Sequence, residues 1–161
     1  KNYPRALVML CHHVMKQQLT REGELVFQEG DVGLYMYFVA DGVLNYLLFT
    51  HVHGAGDIQT TGKERDSTWS GSSDGEQEPP KETVHMRGHV SEGVLWLEDW
   101  EHLGELTAAR QSTLLSLETG NFAQQTLKQP GGQFHAASYA RYFVEHLQNC
   151  AHWSDVLPPL R

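Results

Sequence analysis

The stretch from residue 25 to residue 49 constrains this chain more than any other part of it. Three short apolar runs, 25–27, 35–40 and 43–49, are cut by Glu29-Gly30-Asp31 and by Asp41-Gly42. Runs of that length are too short for stable helices, and Asp-Gly between two of them is the strongest short-range hairpin signal. The segment predicts antiparallel strands joined by tight turns, with Gly30, Gly33 and Gly42 where the backbone must reach positive φ.

Elements of other kinds flank these strands. Leu7, Leu10, Cys11 and Val14 fall at i, i+3, i+4 and i+7, which predicts a helix over 5–15 with Pro4 in its first turn. Downstream, strand-like runs occupy 84–86, 105–109 and 113–118, with a short helical piece at 92–97. Thr119 or Asn121 can cap a helix that runs to Lys128 and stops at Pro130-Gly131-Gly132. A last helix over 135–150 lines up Tyr139, Tyr142, Phe143, Leu147 and Cys150 on one stripe. Beyond it, Trp153 and Pro158-Pro159 read as a tail, so the chain divides into one domain over 1–150 and a tail over 151–161.

Residues 54–82 differ in kind: rich in Gly and Ser, nearly free of aliphatics, and carrying Pro79-Pro80. Such a segment cannot bury enough apolar surface to offset its ordering entropy, and it reads as a disordered insertion. It holds seven acids and three bases, hence −4 of the chain's net −8. An acidic surface repels phosphate backbones, so nucleic acid is not an expected partner. Two cysteines, Cys11 and Cys150, on apolar helix faces read as buried thiols in a reducing setting. No run approaches the ~20 apolar residues of a membrane span. With no Met and no leader ahead of Lys1, the chain reads as a soluble segment cut from something longer.

The run from Val26 to Leu44, with its Glu-Gly-Asp turn and the Tyr37-Phe38-Val39-Ala40-Asp41-Gly42 strand, resembles the first half of a cyclic nucleotide-binding domain. Thr113 to Leu117, followed by Asn121-Phe122, looks like the final strand of that family's β-roll and the helix after it. The last helix then takes the place of the lid over bound nucleotide. The resemblance spans about residues 7–147. It implies an α+β fold: an antiparallel β-roll, jelly-roll-like (a double-stranded β-helix), with an N-terminal helix and two C-terminal helices.

In that family the cyclic phosphate and ribose sit on a segment that opens with Gly-Glu and carries an Arg about nine positions later. Two registers compete for this segment. Gly104-Glu105 reaches Arg110 after only five positions and consumes the strand that must precede Thr113. Gly88-His89-Val90-Ser91-Glu92-Gly93-Val94-Leu95-Trp96 leaves room for every element and is preferred, with Ser91 as helix cap and Glu92 as ribose acceptor. The ligand-binding residues this resemblance implies are Gly88, Ser91, Glu92, Gly93, Val94, Leu95, Trp96, His102 and Thr107. Nine positions after Glu92, however, stands Glu101, an acid where the phosphate cation belongs, and His102 follows. Like charges cost more in a partly desolvated pocket than in water. Trp96 and Trp100 also crowd the expected purine and ribose space. Cyclic AMP and cyclic GMP, the candidate ligands, are therefore expected to bind weakly or not at all, and no cofactor is expected.

Three classes of function follow. The first is a non-enzymatic ligand-sensing module resembling the cytosolic gating domain of a cyclic-nucleotide-gated or related voltage-gated cation channel, potassium channels included. It would sit on the cytoplasmic face of a membrane with neighbouring subunits or a channel linker as partners. The second is the nucleotide-binding regulatory region of a protein kinase. The third is a metal-dependent cupin-like enzyme, because His51-Val52-His53 could aim two imidazoles at one ion. The next acids, Asp57 and Glu64, lie in the insertion, so polar strand-end histidines are the favoured reading and no metal site is assigned. Neither a Walker loop nor a nucleophile elbow occurs in the sequence.

Overall fold

Gly42 turns the chain from one sheet into the other. The protein is described by a computed structural model over residues 14–49, 80–129 and 131–157. Strands β1 (Met15–Thr20), β2 (Leu25–Phe27), β3 (Tyr35–Asp41), β4 (Val43–Leu48), β5 (Lys81–His85), β6 (His89–Val90), β7 (Gly104–Ala108) and β8 (Ser112–Glu118) form two four-stranded antiparallel sheets. Their orders are β1-β8-β3-β6 and β2-β7-β4-β5. Asp41-Gly42 is thus not the hairpin expected of it, since β3 pairs with β8 while β4 pairs with β5 and β7. Gly42 has φ 103, and a Cβ there would lie 2.1 Å from Ser112 Oγ. That hydroxyl accepts from the Val43 N–H at 3.1 Å, which fixes the corner.

The period-two pattern of the strands decides which side chains enter the roll. Tyr37 and Val39 of β3, Leu44 and Tyr46 of β4, Leu106 and Ala108 of β7, and Leu114 of β8 are buried between the sheets with Phe27. The alternate residues Met36 and Leu117 point the other way and join Val14, Val94, Trp100, Phe143, Leu147 and Leu157 in a second cluster. The first sheet is therefore covered on both faces, and its outer cover includes α2 (Gly132–Gln148), which follows α1 (Thr119–Lys128).

Several expectations change. Met15, the last residue of the helix expected over 5–15, opens β1 instead, and residues 5–13 of that expectation lie outside the described residues, as do His51, His53 and residues 54–79 of the insertion. Strand β1, Met-Lys-Gln-Gln-Leu-Thr, has no apolar alternation to announce it. Its place comes from the ladder to β8, from Met15 opposite Leu117 to Thr20 opposite Ser112. Lys81 and Glu82, counted with the insertion, belong to β5, because backbone pairing with Leu47 and Tyr46 ignores side-chain polarity. In α2 only Phe143 and Leu147 are fully buried, while Tyr139 and Tyr142 stay well exposed. The N-cap of α1 is Glu118, to which Asn121 Nδ2 donates. Residues 151–157, expected to trail off, return to the roll and bury Asp155 and Leu157.

Candidate functional site

Gly104 and Glu105 open β7, while residues 88–96 run through β6 and a short helix. Gly88 packs so closely on Val84 that a Cβ would lie 2.7 Å from it, and its carbonyl accepts from the Val39 N–H at 2.9 Å. After β6 the chain passes through Ser91, whose left-handed φ of 64 turns it into a 3-10 helix, Glu92–Leu95. Gly93 lies flat on the Trp100 indole, where a Cβ would come within 2.8 Å of the ring. Val94 is buried and Leu95 packs on the second cluster.

Glu92 turns to the C-terminal helix. The Tyr139 hydroxyl donates to its Oε1 at 2.7 Å, His89 Nε2 stands 3.2 Å from Oε2, and Trp96 Nε1 donates at 3.4 Å. Burial opposes the charge on this carboxylate, but the bonds from His89 and Tyr139 outweigh it and hold the pKa below its ordinary value. Burial, reinforced by Glu92, pushes the Tyr139 phenol up. Trp96 lies with Tyr139 and Phe122, its ring centroid 5.1 and 5.5 Å from theirs. It packs among the helices, where its indole completes their apolar contact.

Behind the 3-10 helix stands a carboxylate that the linear pattern did not single out. Asp155 is 2% exposed. Its Oδ1 accepts from Trp100 Nε1 at 3.0 Å and from Ser91 Oγ at 3.4 Å, with His102 Nδ1 at 2.9 Å. Its Oδ2 accepts from the Leu103 N–H at 2.7 Å and from the Tyr46 hydroxyl at 2.9 Å. The backbone joins in: the Ser91 N–H donates to the Asp155 carbonyl at 2.7 Å, and the Asp155 N–H donates to Tyr46 Oη at 3.2 Å. A buried carboxylate survives desolvation only when its lone pairs are filled in this way. Burial first, and then the Asp155 charge, push the Tyr46 phenol well above its ordinary value.

This arrangement corrects three expectations. Ser91 occupies the cap position but makes no side-chain cap, because its hydroxyl faces Asp155. His102 is buried and stacked on Phe27, ring centroids 3.6 Å apart and 6° from parallel, so it is an internal partner of Asp155 instead of a cation open to a phosphate. Thr107 does not join the site. It pairs with Asn45 in the second sheet, and alternation turns it away from the interior that Leu106 and Ala108 fill. Glu101 is exposed and bridges Val32. Among the described residues no group of His, Cys, Asp and Glu is arranged to hold a metal ion. The only signal that could have marked Asp155 is its place beside Val156 and Leu157, an acid next to apolar residues after the helix, which is weak.

No protein-family model and no curated protein matches the sequence. Solved structures do match the fold. The N-terminal domain of a transcriptional regulator from Streptomyces coelicolor A3(2) aligns with a TM-score of 0.63 and 18% identity over 94% of this chain and 89% of its own. The catabolite activator protein of Thermus thermophilus aligns with a TM-score of 0.55 and 21% identity over 89% of this chain, which spans 56% of that protein. A cyclic nucleotide-binding-like protein from Brucella abortus aligns at 0.56 and 13% identity, covering 80% of this chain and 88% of its own. The chain therefore has the α+β roll of the cyclic nucleotide-binding domain, in a divergent form.

Proposed function

We propose that this chain is a regulatory module on the cyclic nucleotide-binding fold that has lost useful affinity for cyclic AMP and cyclic GMP and acts by coupling the roll to its C-terminal helix. The observation that carries this reading is the buried Asp155 carboxylate, which takes the hydrogen bonds of Ser91, Trp100, Leu103 and Tyr46. A cyclic phosphate brought to those donors would meet a fixed negative charge in a desolvated space. Catalysis plays no part in this reading.

The parent we infer is an ion channel, with the module as a gating domain on the cytoplasmic side. The Ser91-Glu92 and Leu95-Trp96 pattern and the aromatic C-terminal helix support it, since they resemble divergent channel domains. Among the described residues no helix is long and apolar enough to cross a membrane, so any span would belong to other parts of such a parent. A second reading, the sensor part of a transcription regulator, draws on the names of the Streptomyces and Thermus neighbours. Isothermal calorimetry with both nucleotides at neutral pH tests the loss of binding. No heat of binding at micromolar concentrations is expected, and sub-micromolar affinity for either nucleotide would overturn the reading. The full-length sequence separates the two parents through membrane spans or a DNA-binding domain.

A further inference from the structure

Each donor that meets Asp155 belongs to the roll, whereas the acceptor arrives on a segment outside both sheets. Tyr46 is fixed in β4, Ser91 by β6 and the 3-10 helix, and Trp100, His102 and Leu103 by the link into β7. Residues 149–157 belong to no helix or strand. That strap is held by the Asp155 carboxylate, two backbone bonds to Ser91 and Tyr46, and the packing of Val156 and Leu157. Lifting it would expose a preorganised set of donors without breaking either sheet. Five groups converge on two oxygens of one planar anion, which is the geometry of a carboxylate receptor.

We propose that the roll holds a binding site for an organic carboxylate whose resident occupant is the chain's own Asp155. An external carboxylate and the strap compete for one set of donors. The donors favour no particular body, so the ligand class is a small monocarboxylate. This inference shares its site with the proposed loss of nucleotide binding but is read separately: tight nucleotide binding would sink that proposal and leave the following result unchanged.

The test is thermal unfolding of the whole chain and of Asp155→Gly, titrated with sodium acetate against sodium chloride at equal ionic strength. The glycine variant should show a saturable, acetate-specific rise in Tm of roughly 4 °C or more, and the unaltered chain none, because its site is filled. Equal responses to acetate and chloride in the variant would overturn the proposal. So would an acetate response of the unaltered chain as large as that of the variant. If Asp155→Gly does not fold, native-state hydrogen exchange of the unaltered chain decides. The Ser91 and Leu103 amides, which donate to Asp155, should exchange through an opening of lower free energy than the β8 amides. Exchange of both only by global unfolding would overturn the proposal.

Discussion

The Tyr139 hydroxyl on α2 donates to Glu92 Oε1 at 2.7 Å and so ties the C-terminal helix to the 3-10 helix at the mouth of the site. Glu92 is the residue that the family resemblance assigns to the ribose. Here its carboxylate links two elements of the same chain, and Trp96 packs beside Tyr139 to close the contact. Removing the hydroxyl while keeping the ring isolates the bond. Tyr139→Phe should destabilise the protein by about 1 kcal/mol, below the usual value for a bond to a charged group because Tyr139 is partly exposed. Chemical denaturation measures this, and an unchanged midpoint would mean that the tie carries no stability.

The same carboxylate sets a pH dependence whose sign is fixed by its lowered pKa. A group with a folded pKa below its unfolded value contributes stability that is present above the ordinary 4.5 and is lost as pH falls through the folded pKa. The unaltered chain should therefore exceed Glu92→Gln in stability at neutral pH by about 1–2 kcal/mol. That gap should close in acid below the ordinary carboxylate value. Denaturation curves of both proteins across that range check it, and a gap that widens in acid would reverse the assigned cause.

Gly42→Ala should be among the most damaging single changes in the roll. The corner needs φ 103, and the added methyl would meet Ser112 Oγ, Cβ and Cα at 2.1, 2.4 and 2.6 Å. Relief requires moving the backbone of β8, the central partner of β1 and β3. A loss of about 2–4 kcal/mol is expected from strain and overpacking together. Gly30→Ala, where no atom lies within 4 Å of the added Cβ, should cost less. Equal losses in the two variants would show that steric contact with Ser112 is not the cause.

Shortening the segment between β4 and β5 should leave the fold intact. Leu47 stands opposite Lys81, and the Leu48 N–H donates to the Pro80 carbonyl at 3.2 Å, so the two strand ends are already side by side. Replacing residues 50–79 with a short turn should preserve cooperative unfolding and raise stability by about 1–2 kcal/mol through a smaller loop-closure entropy. Loss of the cooperative transition would assign that segment a structural role.

The central strands and the two C-terminal helices were legible in the chain because they depend on local patterns. The apolar run over 35–40, the stop signal at 130–132, and the length needed for β7 before Thr113 each follow from near neighbours. Strand β1 was invisible because its residues are polar and its partner β8 lies about a hundred positions away. The hairpin expected at Asp41-Gly42 became a corner for a similar reason, since turn chemistry fixes the bend and distant strands decide the pairing. Asp155 depended most on tertiary structure. Its apolar neighbours Val156 and Leu157 mark a buried acid only weakly; its five partners come from Tyr46, Ser91, Trp100, His102 and Leu103, more than fifty positions upstream. Local chemistry shaped the roll, but only the return of the chain could place a negative charge inside it, because a buried carboxylate is stable solely where the whole fold has gathered its donors.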